Sequence, residues 1–556
     1  CEGRTLEVTP LLVAEGRTWG LPDRRATVSS PLGATRRLRV SWHGRLRLLL
    51  DADPVRRGWR LGVRVEALRP LRVDAVGVRV RGVEGTRLLV DGYHSWDWSG
   101  VRDATALGRG WWGAMWGDPG DATRLRLGPA ATPHAGALSI TWDGKGGLDA
   151  MCRGEPRQDG QRTGDAGDLG ISLAAGASFT ADRLEVTNDP GRTGAPAGLP
   201  RTVAVEGPRR VGWMSWNCLG AAVRSADALD AAQLVPEGGV VLVDDGWEDR
   251  WGDWREAERF GGSIPEIAGK VASAGRELGL WLAPFAIDPD SETATNHPDW
   301  LLRDAHGEPV VDDRSPAPMW VLDASRPSAA AGLRTLGVRL AVSGVRVVKT
   351  DFLYQGATPG VRAPGWTGMR ALVRGLTAFA DGFRTWSEPG TAIWACGAPA
   401  PAVVGIADAC RSGGDAVIRV PGVYGGPSEP PTFVHGAAVV RAQTRNLAAR
   451  SWLWGAALPC DVDAVTLGRA GDTAAVGDDE AVEWLALARR SRGPLLVSDT
   501  ADGLEEGRRT LLDETLAAGP GEPERPSDPL SPTPVPMEDD DFLSWSPDLP
   551  SDWEPG

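Results

Sequence analysis

Lysine is nearly absent: of the 60 basic residues in 556, only Lys145, Lys270 and Lys349 are lysines. The formal charge of -14 argues against nucleic acid or an anionic membrane surface as a partner. No run of 18 apolar residues occurs, so no membrane span is expected. The six cysteines, at 1, 152, 218, 396, 410 and 460, form no CxxC pair and no zinc-like spacing. Free thiols in a reducing compartment are expected, and a cytoplasmic location is expected because no targeting signal is read in the sequence. The six histidines are scattered, which disfavours a His-built metal site. Tyrosine and phenylalanine are scarce as well, 3 and 8 against 25 tryptophans. Tryptophan offers a flat apolar face with one donor, the shape that stacks on a pyranose ring, although most such rings serve as core.

The acidity is concentrated. Residues 520–556 hold ten acids, one Arg and ten prolines, leaving about -5 for the rest of the chain. Residues 519–556 are therefore expected to be a disordered, solvated tail, with Trp545 and Trp553 as its only docking candidates. The chain begins with Cys1 rather than Met, which implies a processed or fragmentary start, with a lipid-modified N-terminus as an alternative.

Residues 1–190 read as strands. Arg37 to Leu49 and Val63 to Val83 alternate apolar with polar residues between Gly and Pro turns, which predicts an antiparallel β-sandwich. A Pro/Gly/Ala-rich linker is expected over 191–204. Residues 205–518 then alternate short apolar strands with helical stretches. The strands are expected at Gly212 to Trp216, Val240 to Asp244, Leu280 to Phe285, Val345 to Thr350, Ala392 to Cys396, Ile406 to Arg411, Trp452 to Leu458 and Pro494 to Ser498. Eight such units make a (β/α)8 TIM barrel, although Gly397 to Gly405 is short for a crossover helix. The strand ends carry Trp216 and Asn217, Asp244 and Asp245, Trp281, Lys349 and Asp351, Cys396, and Arg411. In this fold such ends share one mouth, where catalysis sits.

Asp351 is the leading candidate for chemistry. Lys349 lies two residues earlier on the same strand face, where its charge would keep Asp351 ionised and nucleophilic. The plainer reading is a solvated Lys/Asp pair, but a chain that writes Arg nearly everywhere has placed a Lys here. Asp415, after the flexible Arg411-Ser412-Gly413-Gly414, is the second carboxyl that glycoside cleavage would need; alone it is an ordinary turn residue. Asp244 and Asp245 suit two sugar hydroxyls, a metal or a helix cap equally well.

Taken in order, Gly212-Trp213-Met214-Ser215-Trp216-Asn217, Val243-Asp244-Asp245-Gly246-Trp247, Gly279 to Phe285, His297-Pro298-Asp299-Trp300, Lys349-Thr350-Asp351-Phe352-Leu353, Cys396-Gly397 and Arg411 to Asp415 resemble glycoside hydrolase family 36, the α-galactosidases, in its compact prokaryotic form. The resemblance implies a retaining exo-α-galactosidase with Asp351 as nucleophile and Asp415 as acid and then base, roughly 5 to 5.5 Å apart. It implies Asp244 and Asp245 on the galactose 4- and 6-hydroxyls, and Lys349 and Arg411 as hydroxyl-binding cations. It further places Cys396 near the 2-hydroxyl, Trp281 and Trp216 as pocket walls, and Trp96, in the loop from Gly92, as an aromatic wall lent by the N-terminal domain. No metal or organic cofactor is implied, the expected partner is a small melibiose- or raffinose-type oligosaccharide, and the oligomeric state stays open. Related alternatives are an α-N-acetylgalactosaminidase, a β-L-arabinopyranosidase, a galactosyl transglycosylase or an inactive sugar-binding homologue.

Three departures from the family pattern carry expectations of their own. The family's C-terminal β-domain is not recognisable. Pro459-Cys460-Asp461-Val462-Asp463 replaces Asn-Asp-Pro-Asp, which puts local hydrogen bonding in doubt. Ser412 and Gly414 predict a looser loop around Asp415.

Overall fold

The computed structural model describes residues 6–20, 36–42, 44–97, 99–120, 124–156, 158–159, 162–163, 167–189, 210–313, 317–416, 443–450, 458–470, 473–474, 476–500 and 503–518. The expected linker at 191–204 and the acidic tail at 519–556 lie outside them.

The N-terminal part is one 15-stranded antiparallel hydrogen-bonded network. Its pattern follows the alternation in the sequence: Arg36–Trp42 exposes every second residue and pairs with Leu46–Val55, which pairs in turn with Gly58–Ala67. Leu71–Arg81 is the other pivot, flanked by Glu7–Ala14 and Gly147–Arg153. Glu7–Ala14 also approaches Leu46–Val55, so the two halves of the path close over a shared apolar core.

The second part is a parallel eight-stranded sheet. In chain order its strands are Val211–Met214, Val240–Val243, Glu277–Leu282, Val347–Thr350, Ala392–Ala395, Ala409–Arg411, Cys460–Asp461 and Leu495–Val497. The first strand pairs with the eighth, and isolated bridges from Cys460 to Arg492 and from Val465 to Val497 bring the seventh toward the eighth, so the barrel is nearly closed. Val240–Val243, the second strand, is wholly buried, as expected of a strand covered on both faces.

Helices Ser225–Ala231, Ile264–Ser273, Pro327–Val342 and Gly368–Trp386 follow the first four strands. Pro327 opens the third of these and Thr367 caps the fourth by accepting from the Arg370 amide. The last two pack closely, because a Cβ on Gly337 would stand 2.4 Å from the Phe379 carbonyl and one on Gly382 2.1 Å from the Arg334 carbonyl. The short stretch after the fifth strand holds only a 3-10 turn, Ala400–Val403, and no crossover α-helix. Residues 443–450 are helical, and Asp478–Ser491 and Glu506–Ala517 follow the last two strands. The strand expected at Trp452 to Leu458 falls almost entirely outside the described residues; the sixth strand pairs with Cys460–Asp461. Among the described residues no helix is long and apolar enough to cross a membrane.

Candidate active site

Because all eight strands run parallel, their C-terminal ends open on one side, and the candidate residues meet there. Lys349 and Asp351 extend from the same face of the fourth strand, with Lys349 Nζ 3.6 Å from Asp351 Oδ2. The same ammonium donates to Asp244 Oδ2 at 2.8 Å. All three side chains are buried. Burial opposes the lysine's charge, but Asp244 and Asp351 outweigh it and hold the ammonium charged well above its usual range.

Asp351 is fixed at both oxygens. Trp281 Nε1, from the third strand, donates to Oδ2 at 3.0 Å, and the Phe352 amide donates to Oδ1 at 2.8 Å. Phe352 itself takes a left-handed conformation, φ 50°, which a bulky residue adopts only when its surroundings demand it. Phe352 packs among Trp96, Trp251, Trp281 and Tyr354, which supply those surroundings.

Across the mouth Arg411 ends the sixth strand, itself 2 % exposed. It donates through Nη1 to Asp415 Oδ1 at 3.0 Å, through Nε to Asp461 Oδ2 at 3.2 Å and through Nη2 to Asp463 Oδ1 at 2.6 Å. Asp461 and Asp463, whose hydrogen bonding the altered seventh-strand sequence left in doubt, are thus the anchors of the arginine. The loop expected to be loose is tied down. Ser412 donates to the Asp461 carbonyl through its amide and its hydroxyl, Gln443 Nε2 donates to Gly414 O at 2.7 Å, and the Ala416 amide donates to Asp463 Oδ2 at 2.7 Å.

Asp415 keeps 28 % of its side chain open. Burial pushes its carboxyl up to about 6 against the pull of Arg411, with Asp463 raising it further. Lys349 and Asp351 also act on its charge, so the two clusters form one electrostatic unit. Cys396 stands in the same field, facing Arg411, Asp351 and Lys349. Burial keeps its thiol neutral, and its Sγ accepts from Trp96 Nε1 at 3.2 Å. Trp96 therefore reaches the barrel mouth from the N-terminal part of the chain.

Two residues sit apart from these clusters. Asp245 accepts from Trp251 Nε1 at 3.3 Å rather than from Lys349. Trp216 is partly buried and packs against the apolar cluster that includes Met214, Leu242 and Trp394.

Sequence reasoning missed Arg450. This buried side chain donates to Asp91 Oδ1 at 2.9 Å, to the carbonyls of Ser95 and Ser412 at 2.5 Å each, and to those of His94 and Asp97 at 3.1 and 2.9 Å. It joins the loop that carries Trp96 to the loop that carries Asp415. It also missed Glu248 and Trp251. The second tryptophan of Trp247-Glu248-Asp249-Arg250-Trp251 was the available signal.

Known proteins resemble this chain in sequence and in fold. The family model described as Melibiase matches residues 215–353. The α-galactosidase AgaA of Geobacillus stearothermophilus is 33 % identical over 133 residues, 22 % of this chain and 17 % of that protein. The α-galactosidase of Escherichia coli is 36 % identical over 69 residues, 11 % of this chain and 10 % of that one. These matches span less than a fifth of each relative's length. Among solved structures, TtGalA, an α-galactosidase from Thermus thermophilus in complex with p-nitrophenyl α-D-galactopyranoside, superposes with a TM-score of 0.61 at 21 % identity over 87 % of this chain and 95 % of that one. The family 36 α-galactosidase AgaA gives 0.61 at 16 % identity over 92 % and 75 %.

Proposed function

We propose that this chain, which carries a melibiase domain within the fold of glycoside hydrolase family 36, is a retaining exo-α-galactosidase acting on terminal α-linked galactose. The observation that carries the reading is the doubly held Asp351 beside Lys349, with Asp415 in the same field. The Trp281 and Phe352 donors leave the Asp351 carboxylate oriented for attack, with the Lys349 ammonium 3.6 Å away.

In this mechanism Asp351 attacks the anomeric carbon while Asp415 gives its proton to the departing glycosidic oxygen. A β-linked galactosyl-enzyme results. Water then attacks the same carbon, Asp415 takes its proton, and Asp351 leaves, so two inversions return the α-configuration. Arg411 lowers the cost of the negative Asp415 left after the first step. Asp244, Asp245, Lys349, Arg411 and Cys396 are assigned to the sugar hydroxyls, and Trp281, Trp216 and Trp96 to its apolar faces. No metal or cofactor takes part.

The solved relatives hold stachyose and raffinose, and an oligosaccharide of that type is the substrate we assign here. A cytoplasmic, reducing setting fits Cys410 and Cys460, which are register partners on adjacent strands yet unbridged.

The test is turnover of an aryl α-galactoside by the wild type and by Asp351→Asn. The wild type should release the aryl alcohol, and the variant should lose turnover while still binding galactose. Equal rates in the two proteins would remove Asp351 from the reaction.

A further inference from the structure

In the loop after the second barrel strand, two carboxylates converge on a single donor. Trp251 Nε1 donates to Asp245 Oδ1 at 3.3 Å and to Glu248 Oε1 at 3.0 Å. Both carboxyls thus lie within 3.3 Å of one indole nitrogen, and Glu248 Oε2 also accepts from the Gly246 amide at 3.3 Å. Glu248 is buried at 4 % exposure, whereas Asp245 is partly open at the barrel mouth. The nearby ammonium is engaged elsewhere, since Lys349 faces Asp244 and Asp351. Among the described residues no ion pair involves either Asp245 or Glu248.

Two carboxylates this close, with one indole N–H between them, repel each other in a low-dielectric site. A single proton removes the repulsion and converts it into a short-range hydrogen bond. The proton belongs on the more deeply buried partner, because the open one keeps its charge solvated.

We propose that Glu248 is a positioning residue: it carries a proton at neutral pH, donates it to Asp245, and thereby fixes the Asp245 carboxylate for the sugar. Burial, and then the charge of Asp245, push the Glu248 carboxyl well above its usual range, in agreement with this geometry. Protonated Glu248 still accepts from Trp251 through its carbonyl oxygen. Asp245 then has two donors, the indole and the acid, which set the direction of its free lone pairs. The substrate half of this inference rests on the α-galactosidase reading; the shared proton does not.

Two variants and two readouts test it. Glu248→Gln retains a donor and an acceptor of the same shape, while Glu248→Met keeps the volume and removes both. At pH 7 the infrared difference spectrum, wild type minus E248Q, should contain the C=O stretch of a neutral carboxylic acid. Galactose should bind to E248Q within about threefold of the wild type and to E248M about tenfold more weakly, with the loss on an aryl galactoside falling on KM rather than kcat. Absence of the acid band overturns the proposal, as does E248Q binding as weakly as E248M. Wild-type protein that binds no galactose would sink the galactosidase reading, while the infrared band would still decide the proton.

Discussion

Asp415 accepts a 3.0 Å hydrogen bond from Arg411, a guanidinium that is held on its other nitrogens by Asp461 and Asp463. The arginine is therefore shared, and it only partly offsets the burial that lifts Asp415 to about 6. This balance lets one carboxyl serve as acid and then as base near neutrality.

A pH dependence follows. Asp415 can donate only while protonated, so kcat/KM should fall as pH rises through about 6. The fall should be steep for a disaccharide, whose leaving oxygen needs the proton. It should be shallow for a dinitrophenyl galactoside, whose leaving group does not. Asp415→Asn should cost about 10²- to 10⁴-fold on the disaccharide and far less in the first step on the activated substrate. Initial rates with both substrates across the pH range check this.

Trp281→Phe tests the orientation of the nucleophile. It keeps the ring packing and deletes the 3.0 Å bond to Asp351 Oδ2. A hydrogen bond to a charged group contributes about 1.5–3 kcal/mol, so kcat/KM should drop by roughly tenfold or more with the fold intact by near-ultraviolet circular dichroism. An unchanged rate would mean that the Phe352 amide alone suffices.

Arg450→Met should destabilise the protein by about 3–5 kcal/mol, because it leaves Asp91 buried without its cation and removes a donor from four carbonyls. Adding Asp91→Asn should recover part of the loss by removing the stranded charge. Urea unfolding of the single and double variants measures both.

Glu155 gives stability its own pH dependence. It reaches from the N-terminal part of the chain to accept from the Met369 amide at 2.7 Å, at the start of the helix Gly368–Trp386. Burial raises its carboxyl from 4.5 to about 6, against the pull of Arg362. A folded-state value above the unfolded one contributes stability that is fully present below about 4.5 and lost as pH rises through about 6. Between about pH 4.5 and 7 the wild type should therefore lose about 2 kcal/mol relative to Glu155→Gln. Parallel stability curves for the two proteins would contradict this.

The barrel was legible because parallel strands buried on both faces are short apolar runs, as in Val240–Val243. Strand ends were less so. The third strand begins at Glu277, earlier than the apolar run at Leu280 suggests, because Arg210 and Arg346 pair with the glutamate and let a charged residue enter the sheet. Asp351 and Lys349 were legible through their i, i+2 spacing, which puts both on one strand face. Arg450 was not. Its partner Asp91 lies 359 residues away, and one Arg in an arginine-rich chain carries no local signal. Glu248 was less deeply hidden, since Trp251 is only three residues away, but the spacing does not show that one indole serves both Glu248 and Asp245.

The central claim is double displacement through Asp351, and the stereochemistry of the first-formed sugar tests it most directly. An aryl α-galactoside would be hydrolysed in the NMR tube and the anomeric proton followed before mutarotation mixes the two forms. α-Galactose appearing first is the predicted result. β-Galactose appearing first would contradict the account, for Asp351 would then activate water instead of bonding to the sugar.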